Sequence, residues 1–169
     1  MMPRKFVLML VMAALAFGAK TPRPLPDVPI STPGGKKIEL TQYPGKVILL
    51  ALISASCADC IGAVELMNKM QKESGPRGFQ AVAAIVGLDA QQNTQGFIDR
   101  YRPGFPVGFL LEAPFRQMAD IGVRDRPFVP IFLFIDRKGV VRFQYYGTDA
   151  IMQQRDKATR SIVEGLLRQ

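Results

Sequence analysis

Seven consecutive apolar residues, Val47-Ile48-Leu49-Leu50-Ala51-Leu52-Ile53, follow the turn residue Gly45. A short unbroken apolar run of this kind predicts a strand over 46–53, buried on both faces. Beyond it, Ile61, Val64, Leu66, Met67 and Met70 recur at helical spacing, and the helix they predict ends near Gly75-Pro76. Gln80 to Val86 is a second apolar run and a second buried strand. Phe97, Ile98 and Tyr101 predict a helix over about 91–102, Phe105 to Leu111 an extended stretch, and residues near 113–120 a short helix. Ile131 to Ile135 is a very apolar strand. The turn Asp136-Arg137-Lys138-Gly139 folds Val140 to Tyr146 back onto it as a hairpin. Ile151, Ile162, Val163, Leu166 and Leu167 place a last helix within 150–168. Upstream, Thr32-Pro33-Gly34-Gly35 is a turn and Lys37-Ile38-Glu39-Leu40 a short alternating strand. Strands alternating with helices, then a hairpin and a helix, make an α/β fold with a mixed central sheet flanked by helices.

The ends of the chain add less. Arg4 and Lys5 precede an uncharged apolar run from Phe6 to Ala19, which Lys20 closes. Fourteen residues are short for a membrane span, which takes about 20, so 1–19 reads as an export signal peptide or N-terminal anchor. Ala14-Leu15-Ala16 is a cleavage candidate, and a short buried helix is the alternative. Pro22, Pro24, Pro26 and Pro29 make 20–30 an extended linker to a single domain at 31–169. Export implies a periplasmic or extracellular location, and membrane contact only if the N-terminal segment stays uncut.

Cys57 and Cys60 are the only cysteines in 169 residues, and they lie between the first strand and its helix. A strand running into Cys-x-x-Cys at a helix start is a redox arrangement. The helix N-terminus presents unpaired N–H groups and partial positive charge, which favour the reactive thiolate. Net charge is +8, but the 22 Lys and Arg are dispersed, which argues for a solvated surface and against a nucleic-acid partner. The chain has no histidine, so it lacks the commonest metal ligand and the usual general base. No metal and no cofactor are expected. Two other readings of the pair stay open. One is an inert disulfide, whose four-residue loop stabilises by only about 2 kcal/mol. The other is a soft-cation clasp.

Three segments in order resemble the thioredoxin superfamily, and specifically the exported TlpA/ResA-like thiol–disulfide oxidoreductases. They are Gly35 to Leu50, the Cys57-Ala58-Asp59-Cys60 motif, and Val129-Pro130-Ile131-Phe132-Leu133-Phe134-Ile135-Asp136-Arg137-Lys138-Gly139. The resemblance implies a thioredoxin-like fold with an N-terminal added β-hairpin, and a cis proline at Pro130. The chain departs from the family in three places. Ser56 stands where tryptophan is usual. Ala51 and Ala63 stand where a buried acid is expected. About three extra residues fall within Arg124-Asp125-Arg126-Pro127-Phe128.

In this reading Cys57 is the nucleophile and Cys60 the resolving thiol, with Ala58 and Asp59 tuning the pair. The Asp59 carboxylate opposes thiolate formation, which gives a reductase or neutral bias. Pro130, with no N–H, lies opposite the cysteines and leaves the Val129 backbone free to pair with a bound peptide. Ser56 joins Val129 and Pro130 as a substrate-facing residue, Ser54 fills the turn, Pro127 competes for the cis position, and Phe128 is read as a core aromatic, with an apolar contact to substrate as the alternative. Partners are then protein dithiols or disulfides and a redox partner protein. Two alternatives remain: a thioredoxin-fold binding module without turnover, and a peroxiredoxin-like peroxidase. The second needs a Pro-x-x-x-Thr/Ser-x-x-Cys element, and Leu50 occupies its proline position.

Overall fold

The computed structural model describes residues 21–169, so the segment read as a signal or anchor lies outside the described residues. In chain order the elements are β1 (Arg23–Pro24), β2 (Ile30–Ser31), β3 (Lys37–Ile38), β4 (Val47–Ile53), α1 (Ala58–Ser74), β5 (Phe79–Ile85), α2 (Ala90–Tyr101), β6 (Val107–Phe109), α3 (Glu112–Ala119), β7 (Ile131–Ile135), β8 (Val140–Tyr146) and α4 (Arg155–Leu167). All eight strands form one sheet in the order β1-β8-β7-β4-β5-β6-β2-β3.

The unbroken apolar run lies at the centre of this sheet because it must face a core on both sides. β4 is parallel to β5 and antiparallel to β7. Side chains alternate across a strand. Val47, Leu49, Ala51 and Ile53 therefore join Val64 and Met67 of α1, Phe97 of α2 and Val163 and Leu166 of α4 in one core. Ile48, Leu50 and Leu52 join Phe115 and Met118 of α3 in the other. Leu52 pairs with Ile131, so the C-terminal end of β4 and the start of β7 meet at one edge. That juxtaposition positions the site.

The β7–β8 hairpin closes through Asp136, whose carboxylate accepts from the Lys138 and Val140 amides at 2.9 and 3.0 Å. Gly139 takes the positive φ (75°) that this turn needs. β2 and β3 form the added hairpin, which attaches to β6 through Ser31 and Phe109.

Three element boundaries differ from the pattern-based reading. Of the segment 20–30, the described residues 21–30 are not a free linker. Arg23 and Pro24 pair with Val141 and Val140, and Ile30 is fully buried. The Arg23 guanidinium donates to the Met118 carbonyl and the Gln144 side chain, both at 2.8 Å. Proline spacing reports an extended chain but says nothing of the sheet edge that receives it. Strand structure stops at Ile38, and Leu40–Gln42 turn as a 3-10 helix. The last helix begins as a 3-10 segment, Ala150–Gln154, before α4 proper.

Candidate active site

The local sequence directs Cys57 to the helix start. Ser54-Ala55-Ser56 turns the chain as it leaves β4, and Cys57 is the N-cap of α1 with extended backbone (φ −90°, ψ 117°). Its sulfur accepts a hydrogen bond from the Cys60 amide at 3.2 Å. An oxygen normally fills this capping role; here a sulfur does, so the group that would react is held by the helix-end amide. Cys57 is half-buried and Cys60 fully buried, and both are free thiols. Ser56, Ala58 and Asp59 are exposed around them, and Ser54 is half-buried with its hydroxyl 3.4 Å from that of Ser56.

Opposite the cysteines, the Val129–Pro130 peptide is cis, whereas the bond before Pro127 is trans. The Cys57 thiol points at the Val129 carbonyl across 3.8 Å. Cys57, Cys60, Val129 and Pro130 are thus gathered at one end of the central strands from segments more than 70 residues apart. Phe128 is not a core aromatic: it is 69% exposed. Val123, in the same loop region, is exposed too (85%).

The surroundings of Cys60 act on its ionisation. Burial foremost, and then the hydrogen bond with Cys57, push the Cys60 thiol up to about 12. A backbone hydrogen bond at Ser54 and the positive charge of Arg155 act in the other direction. Ala51 and Ala63, where the family resemblance implies a buried acid, are both fully buried alanines. Because the Cys60 value is raised in the fold, the stabilising effect of its bound proton is complete below the ordinary value of 9.0 and is lost as pH climbs toward 12. The melting temperature of the fully reduced protein is therefore expected to fall faster above pH 9 than that of Cys60→Ser. Parallel melting curves from calorimetry would contradict this.

Two residues of the site escaped sequence reasoning. Arg155, at the start of α4, donates from Nη1 to the Asp59 carbonyl at 3.1 Å and lies 5.8 Å above the Phe132 ring. No motif marks it, because it is 96 positions from its partner. Gly147 donates its amide to the Pro130 carbonyl at 2.7 Å, and a methyl there would meet the Pro130 ring at 2.8 Å. Gly147→Ala is expected to displace Pro130 and Val129 from Cys57, costing about 1–3 kcal/mol of stability and most of any Cys57-dependent rate. A variant with unchanged denaturant midpoint and unchanged rate would show that this contact yields freely.

Among the described residues no three His, Cys, Asp or Glu side chains gather as a metal site.

The sheet order, the N-capping cysteine with its partner one turn on, and the facing proline define a thioredoxin-fold protein with a paired-cysteine site. The AhpC/TSA family matches residues 22–144, and the chain belongs to that family. Within the thioredoxin superfamily it is of the TlpA/ResA-like oxidoreductase kind. It is 30% identical over 126 residues to the thioredoxin-like protein YneN of Bacillus subtilis, covering 73% of this chain and 69% of that one. It is 26% identical over 156 residues to the thiol-disulfide oxidoreductase ResA of Geobacillus thermodenitrificans, covering 86% of each. A thiol:disulfide interchange protein of the thioredoxin family from Chlorobium tepidum shares the fold, with a TM-score of 0.69 at 22% identity over 88% of this chain and 98% of that one.

Proposed function

We infer that this protein exchanges disulfides with exported protein substrates through Cys57 and Cys60. The observation that carries the reading is a half-buried sulfur capping a helix, one turn from a fully buried second thiol. The first sulfur is reachable and the second is withheld until a mixed disulfide forms. In the reducing direction the Cys57 thiolate attacks a substrate disulfide. One substrate sulfur leaves as thiolate with its bonding electron pair. Cys60 then attacks Cys57, the Cys57–Cys60 bond forms, and the second substrate sulfur leaves. Both electrons come from the two cysteines, and their protons end on the substrate thiols.

Ser56, Val129 and Pro130 frame the approach, with the Val129 backbone positioned to pair with an extended peptide segment. Phe128 adds an exposed apolar contact beside that track. Ala58 and Asp59, exposed between the two cysteines, tune the pair, and the Asp59 charge opposes thiolate formation. A separate redox protein restores the dithiol. The apolar run at 6–19 supports an exported location, membrane-bound only if that run is retained.

Insulin reduction with dithiothreitol as reductant tests the reading. The wild-type protein is expected to accelerate insulin precipitation well above the dithiothreitol background. No acceleration would leave the binding-module alternative. Peroxide consumption without insulin reduction would favour a peroxidase. Two observations weigh against that last outcome. Leu50 is buried in mid-strand where the peroxidase element needs proline, and the Ser54 hydroxyl is engaged with Ser56.

A further inference from the structure

The mechanism leaves one step without a helper. Cys60 must lose its proton inside the fold before it can attack the mixed disulfide, and its surroundings on β4 and α1 include Ala51 and Ala63 rather than an acid or base. The core that encloses Cys60 also holds Phe132 of β7 and Met152 from the turn before α4, neither charged. Asp59, on the same helical turn, has an exposed side chain. The charged or titratable groups that act on Cys60 are Cys57 and Arg155.

Arg155 is held there by specific contacts. Nη1 donates to the Asp59 carbonyl at 3.1 Å, the guanidinium stacks over Phe132 at 5.8 Å, and a Cβ on Gly62 would lie 3.8 Å from Nη1. Its Nε is buried and has no hydrogen-bond acceptor among the described residues. Buried donors are nearly always paired. This one keeps donor capacity and positive charge unspent against the first turn of the cysteine helix.

We propose that Arg155 is a positioning residue for the second half of the exchange: from α4 it presents a fixed positive charge to the first turn of α1, and so eases ionisation of the buried Cys60 sulfur as it attacks. The inference rests on the exchange reading above. In this step Cys60 gives its proton to water and attacks Cys57 Sγ. The Cys57–Cys60 bond forms, the bond from Cys57 to the substrate sulfur breaks, and that sulfur leaves with the electron pair. A cation against the helix turn that carries the buried sulfur stabilises the ionised state without itself accepting a proton.

The test uses dithiobis-nitrobenzoate as the disulfide. Attack by Cys57 releases one coloured thiolate, and resolution by Cys60 releases the second, so the two halves are read separately in one stopped-flow trace. Loss of the cation reduces the thiolate fraction, but a more basic sulfur is a better nucleophile. A tenfold loss of thiolate then appears as about a threefold slowing. Arg155→Met is expected to slow the second release about threefold at every pH below the Cys60 titration, leave the first release unchanged, and melt near wild type. Arg155→Lys is expected to restore most of the second rate. Equal second releases in wild type and Arg155→Met would overturn the inference while leaving the exchange reading intact. Equal slowing of both releases would also overturn it, because that marks general disruption of the helix. Absence of a second release from the wild-type protein would instead overturn the exchange reading, and this inference with it.

Discussion

Cys60→Ser protein is expected to stop after one chemical event and accumulate as a covalent adduct of Cys57 with its substrate. Cys57 keeps its place as N-cap, its contact with the Cys60 position's amide, and its half-buried access. What is lost is the sulfur one turn away that must displace the substrate. Turnover of insulin should fall by about a thousandfold or more, since covalent catalysis cannot proceed without its partner nucleophile. The adduct should appear as a mass increase on non-reducing analysis and vanish with dithiothreitol. Cys57→Ser should lose turnover equally but form no adduct, because Cys60 is fully buried. If instead the adduct formed with Cys57→Ser and not with Cys60→Ser, the assignment of nucleophile and resolving thiol would be reversed. Cys60→Ser protein that turned over at the wild-type rate would remove the two-cysteine mechanism altogether.

Phe134→Ala is expected to be the most damaging of the simple core truncations. Phe134 is fully buried in β7, where it pairs with Leu49 of β4 and Phe143 of β8. Its ring meets Tyr145 edge-on, with centroids 6.3 Å apart. Removing a buried ring costs about 3–5 kcal/mol, through lost transfer energy and the cavity left behind. A domain of this kind has only about 5–15 kcal/mol in total. Urea titration should therefore show a midpoint lowered by a third or more with the slope unchanged. An unmoved midpoint would mean that β7 is not the packed centre described here. The same strand begins at Ile131, next to Pro130, so this variant also tests how far the site depends on a rigid sheet beneath it.

Much of the fold is readable along the chain because its central strands are buried on both faces. Val47–Ile53, Phe79–Ile85 and Ile131–Ile135 have almost no polar side chains, and no other placement would hide them all. The hairpin after Ile135 is equally plain, since Asp136 and Gly139 are the residue types its turn requires. The edges are harder. Arg23–Pro24 and Ile30–Ser31 are two-residue strands that exist because β8 and β6 offer free edges. Two residues carry no periodicity to read.

The same division runs through the site. A cysteine pair at a strand-to-helix junction announces its chemistry locally, because the helix end that would activate the thiol is built from the next residues in sequence. The motif around Pro130 could be aligned by resemblance. Its distance to Cys57, and the exposure of Phe128, come from how the strands pair and where the loop of 124–128 is carried. Arg155 and Gly147 are invisible to any local pattern: one reaches the cysteine helix from the far end of the chain, and the other matters only because Pro130 lies against it. Local chemistry and hydrophobic periodicity are properties of neighbouring residues, so the strand, the helix and the thiol pair were determined by sequence alone. Charge placement and close approach between distant segments depend on packing, so only the tertiary structure decided which cation lies against the cysteine helix and which backbone faces Cys57.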